Sequence, residues 1–73
     1  MGVKVSELYA LWVEQAYNDA RKKVNEDNRA LKGLNPDGDY AAAIKGMLAL
    51  HEEAAKVYER ALVDVMRKQQ EAA

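Results

Sequence analysis

The sequence predicts an all-α fold: a two-helix antiparallel hairpin, about 6–32 and 39–69, that completes its core by oligomerisation as a four-helix bundle. Three observations carry this. Gly33-Leu34-Asn35-Pro36-Asp37-Gly38-Asp39 is the one break, with the only proline and two of the four glycines. Apolar residues recur at heptad spacing on both sides of it. The second helical segment is more apolar than one partner helix can cover, with 18 apolar residues among the 27 from Tyr40 to Met66. The whole of 1–73 reads as a single hairpin domain without repeats or linkers.

Each element follows in turn. Ser6 is the expected N-cap of the first helix, because its side-chain oxygen can accept from free backbone N–H groups. The seam then runs Ala10, Val13, Tyr17, Ala20, Val24, Asp27, Leu31 and Leu34. Gly33 suits a left-handed residue after the helix end, and Pro36 blocks continuation. Asp37 or Asp39 is expected to cap the second helix, which at 1.5 Å per residue would be roughly 45 Å long. Its expected seam is Tyr40, Ile44, Met47, His51, Ala54, Tyr58, Ala61 and Val65. Aligning the seams sets Leu31 against Tyr40, Val24 against Met47, Ala20 against His51, Tyr17 against Ala54 and Val13 against Tyr58. Asp27 then falls opposite Ile44, so it is expected to tilt outward toward Lys23 or Lys45, or to mark an offset of the register.

The apolar surplus defines the expected interface. One face is Ile44, Leu48, Ala55, Leu62 and Met66, continued on the first helix by Leu8, Leu11 and Trp12. The other is Ala42, Gly46, Ala49 and Leu50, where small residues admit a close neighbour; glycine in a helix interior costs about 1 kcal/mol against alanine. Burying these faces against a second copy gives a symmetric dimer. Two unlike faces joined head to tail would instead build an open filament or larger assembly. A third expectation is a small adaptor or inhibitor docking on another protein through Trp12, since such aromatics dominate interface energy.

Composition excludes several classes. There is no cysteine, hence no disulfide and no thiolate metal site. Lys plus Arg number 11 against 12 Asp plus Glu, a net charge of −1 that argues against a nucleic-acid binder. The basic cluster Arg21-Lys22-Lys23 with Arg29 and Lys32 is interspersed with Asp19, Glu26 and Asp27, as a solvated face would be. No apolar run approaches the roughly 20 residues of a membrane span, and no signal peptide is recognised, so no membrane partner is expected and a cytoplasmic setting is the default.

Catalytic and metal motifs are incomplete. His51 is the only histidine. Its expected role is a core histidine bonded to Tyr17, Asp19 or Tyr58, with a metal or haem ligand in a bundle as the alternative. A di-iron bundle needs Glu-x-x-His, but Leu48 stands three residues before His51. A zincin needs a second histidine where Ala55 stands. Asn35-Pro36-Asp37-Gly38-Asp39 opens like a calcium loop, yet its sixth position is Tyr40 and its twelfth is Gly46. No catalytic residue, metal or cofactor is therefore nominated, and a non-enzymatic structural or interaction protein is expected.

Leu34-Asn35-Pro36 and the overall length resemble the needle subunits of type III secretion systems, two-helix hairpins that build helical filaments. That family's second loop proline is Gly38 or Asp39 here. Gly38-Asp39-Tyr40-Ala41-Ala42-Ala43-Ile44 is similar to the start of a tetratricopeptide helix, although the helix that follows is too long for that repeat. Neither resemblance extends beyond these residues, and neither assigns a family.

Overall fold

Two helices make up a computed structural model that describes residues 4–72. α1 spans Val5–Lys32 and α2 spans Asp39–Ala72, packed side by side as a hairpin. There is no strand among the described residues. At about 1.5 Å per residue, the 34 residues of α2 account for the longest dimension of 53 Å. The shortest dimension, 14 Å, is little more than one helix diameter. The hairpin is thus a single layer, with two broad faces that have no further element to cover them.

The helix ends differ from expectation in ways that have local causes. α1 begins before Ser6: the N–H groups of Glu7 and Leu8 donate to Lys4 O at 3.0 and 3.1 Å, which starts the first turn at Lys4 without a side-chain cap. Gly33 is not left-handed, with φ −95° and ψ 3°. Its N–H donates to Ala30 O and that of Leu34 to Leu31 O, tightening the last turn into a 3₁₀ form that satisfies the free carbonyls without a positive φ. In the turn itself Asn35 rather than an aspartate supplies the side-chain bond, its Oδ1 accepting from the Asp37 N–H at 3.1 Å. Asp39 instead opens the first turn of α2, where a carboxylate complements the positive end of the helix dipole.

Gly38 donates to Asn35 O, and Ala42 N–H donates back to Gly38 O. A Cβ added at Gly38 would sit 3.3 Å from Asn35 O, so any larger residue there would need the turn to give by a few tenths of an ångström. Lys45 reaches back to donate from Nζ to Pro36 O at 3.2 Å, tying the loop to α2.

The seam of α1 lies where it is expected, with Val13, Ala20 and Val24 buried and its other members partly covered. α2 is rotated by one residue in half of its seam. Ile44, His51, Tyr58 and Val65 are retained and Ala54 and Ala61 stay partly covered at the seam's edge, but Ala41, Leu48, Ala55 and Leu62 form the second column in place of Tyr40 and Met47. Tyr40 is 69% exposed and Met47 lies outside. Both choices keep heptad spacing, and the small Ala41 and Ala55 let the two backbones approach, whereas Tyr40 would hold them apart.

The resulting core is thin. Among the described residues the buried set is Val13, Val24, Ile44 and three alanines, Ala20, Ala41 and Ala55.

Gly46 contacts nothing within this chain, since a Cβ built there has no neighbour within 4 Å. Gly46→Ala is therefore expected to stabilise the isolated hairpin by about 1 kcal/mol, or about 4–8 °C in Tm for a chain of this size. Circular-dichroism melts at low concentration read this directly; a lowered Tm would mean that the space is already occupied.

Candidate functional site

An uncovered apolar stripe lies on one face of the hairpin. On α2 a second heptad series runs beside the seam: Tyr40, Ala43, Met47, Leu50, Ala54, Val57 and Ala61, stepping by three and four throughout. Tyr40, Met47, Leu50 and Val57 are each at least half exposed, and Leu50 reaches 72%. One helix thus carries two adjacent stripes, one turned to α1 and one that is exposed at Tyr40, Ala43, Met47, Leu50 and Val57 and partly covered at Ala54 and Ala61.

α1 extends this face at the end far from the turn. Tyr9 stacks on Trp12 with ring centroids 6.2 Å apart, and Trp12 meets Tyr58 of α2 edge to face at 6.1 Å. Such pairs add roughly 0.5–1.5 kcal/mol beyond the area they bury. Trp12 nevertheless remains 58% exposed. A groove of about 310 Å³ runs beside it, lined by Trp12, Gln15, Ala16, Asp19, Ala20, Lys23, His51, Ala54 and Tyr58. A wider one of about 830 Å³ lies at the open end, where Tyr9 faces Ala61, Asp64, Val65 and Lys68. Both grooves follow the boundary between the helices on the side of the α2 stripe, because Ala54 and Ala61 belong to that stripe.

The polar feature of the seam is a single pair. His51 Nδ1 and Asp27 Oδ2 are 2.5 Å apart, and the two side chains are mostly covered. A carboxylate only accepts, so the Nδ1–H of His51 donates. This corrects two expectations: Asp27 does not turn out toward lysine, and the partner of His51 is none of Tyr17, Asp19 or Tyr58. The reason is geometric. Side chains lean toward the N-terminus of their own helix. Asp27 lies nearer the turn and leans away from it, while His51 lies farther along and leans back, so the two close an axial gap between them.

Asp27→Ala, His51→Ala and the double variant form a test of this bond. Urea melts are expected to show a coupling of about 1–2 kcal/mol. Strictly additive effects would mean that the bond contributes nothing to stability.

Metal chemistry gains no further ligands here. Among the described residues there is no group of three or more His, Cys, Asp or Glu placed to hold an ion. His51 keeps Nε2 as its one remaining ring nitrogen.

The residues expected at the interface separate into three sets. Ile44, expected both on the seam and on the first apolar face, keeps only its seam place: at 8% exposure it lies under α1, in the hairpin core. Leu48 and Leu62 are half-buried along the seam, so this part of the first expected face belongs to the intramolecular contact. Leu8, Leu11 and Met66 stay exposed near the open end, away from the stripe, with Trp12 among the aromatics. Ala42, Gly46, Ala49 and Leu50 are all exposed. Sequence reasoning missed Tyr40, Met47 and Val57 as members of an outer stripe, although their unbroken three–four spacing was the available signal. No helix is long and apolar enough to cross a membrane among the described residues. Comparison of the chain with protein-family models, curated proteins and solved structures yields no match.

Proposed function

We propose that this chain is a non-enzymatic structural or interaction protein, a helical hairpin that self-associates through its uncovered apolar side chains, as in a four-helix bundle. The observation that carries the reading is the imbalance between core and surface. The described core holds only three large side chains, while eleven large hydrophobics are about half exposed or more. A chain of this size is marginal on its own core, and an uncovered area of this kind marks an interaction surface.

Light scattering after size exclusion, across a dilution series, tests the proposal. A mass near twice the chain's 8.2 kDa is the expected result. A helical monomer at every concentration would overturn it and direct attention to a different protein as partner.

A filament or larger assembly is the second reading, favoured by Leu8, Leu11 and Met66, which lie away from the α2 stripe and offer an unlike patch. Large, polydisperse particles in the same measurement would select it.

A further inference from the structure

We infer that the outer stripe of α2 is a two-fold symmetric interface, on which α2 of a second copy lies antiparallel with Leu50 at the axis. The inference rests on the self-association just proposed and names the surface and its occupant.

Three features of the chain point to a second copy. First, the stripe reads Tyr, Ala, Met, Leu, Ala, Val, Ala from 40 to 61, and reversing it sets large against small in every layer but the middle. Tyr40 meets the partner's Ala61, Ala43 meets the partner's Val57, Met47 meets the partner's Ala54, and Leu50 meets the partner's Leu50. Interdigitated helix packing requires this alternation, and a two-fold contact requires the patch to complement itself.

Second, the flanking charges agree with the same register. Asp39 and Arg60, both exposed, border the stripe on its outer side. The antiparallel arrangement brings Asp39 toward Arg60 of the partner subunit, and by symmetry makes that pair twice.

Third, the area is of the right order, inside the roughly 600–1,000 Å² per partner that standard interfaces span. Given about 150–250 Å² for each aromatic side chain, the uncovered parts of Tyr9, Trp12, Tyr40, Met47, Leu50 and Val57 offer on the order of 700 Å² per subunit. A standard interface buries about 800 Å² per partner on average. The aromatic cluster is included because an antiparallel α2 pair brings the partner's Tyr40 level with Ala61, beside Tyr9 and Trp12.

The chain has no cysteine, so each introduced one reports a single position. Disulfides form only where Cα atoms lie within about 7 Å. Leu50→Cys is expected to oxidise almost wholly to a covalent dimer. Tyr40→Cys and Ala61→Cys are each expected to stay uncrosslinked alone and to crosslink when mixed after unfolding and refolding together. Leu11→Cys, on the outer surface of α1, is expected to remain reduced. Circular dichroism checks that every variant is helical. If the parent chain is dimeric but Leu50→Cys does not crosslink, this face is wrong while self-association stands. Self-crosslinking of Tyr40→Cys alone would overturn the antiparallel arrangement. A parent chain that is monomeric by light scattering would remove both the interface and the reading beneath it.

Discussion

Replacing Leu50 by glutamate is expected to convert the assembly to monomers without unfolding the hairpin. The residue is 72% exposed, so in an isolated hairpin the exchange is an ordinary surface substitution, within about 0.5 kcal/mol. In a two-fold interface the same change places two carboxylates at the axis and takes both from water. A buried, unpaired charge is among the most costly groups a protein can hold. A loss of about 3–4 kcal/mol in association, which is 10²–10³-fold in Kd, is the expected scale. Light scattering should show the mass halved, and far-UV circular dichroism should show the helices retained. Leu11→Glu makes the identical chemical change on the outer surface of α1 and is expected to leave the mass alone. Should Leu50→Glu behave like Leu11→Glu, the stripe would not be the contact.

The second large effect concerns the hairpin itself. Val13 has no exposed surface and is the largest side chain wholly enclosed. Val13→Asp puts a carboxylate there with no counter-charge on the seam nearby, and the thin core has little stability with which to tolerate it. Loss of most helical signal at 25 °C is the expected outcome. Val13→Ala removes only two methyl groups and is expected to cost about 1–3 kcal/mol, visible as a lower midpoint in urea. Val63→Asp serves as the comparison, since Val63 is about half exposed. A Val13→Asp chain as helical and as stable as Val63→Asp would falsify the packing of α1 on α2.

The turn and the two helices were legible because Gly, Pro and heptad spacing act locally. The seam of α1 was legible for the same reason, since only one column of apolar residues crosses its polar middle, from Ala20 to Leu31. α2 offered more than the sequence pattern could resolve. Two columns one residue apart, beginning at Tyr40 and at Ala41, both satisfy a heptad with Ile44, His51, Tyr58 and Val65. Backbone approach decides between them, and spacing carries no information about that. Treating Tyr40 and Met47 as core hid the outer stripe and led Leu48 and Leu62 to be read as surface. The pairing of Asp27 with His51 was obscured by a different step: matching residues by level ignores the lean of side chains along the helix. That lean adds from both sides in an antiparallel pair.

The single turn also sets the order in which the hairpin closes. Contacts beside Gly38 shut loops of a few residues, while Trp12 on Tyr58 encloses more than forty. Loop-closure entropy grows with that length, by about 0.6 kcal/mol for each doubling. Closure is thus expected to advance from the turn as a zipper, and the aromatic cluster to join last. It acts as the clasp at the free ends. Opening there costs least, so amide exchange should be fastest in the turns around Tyr9 and slowest between Val24 and Ile44. A neighbouring Tyr40 seated beside Trp12 would lock the clasp, and the end that is weakest in one hairpin would be held shut by a second.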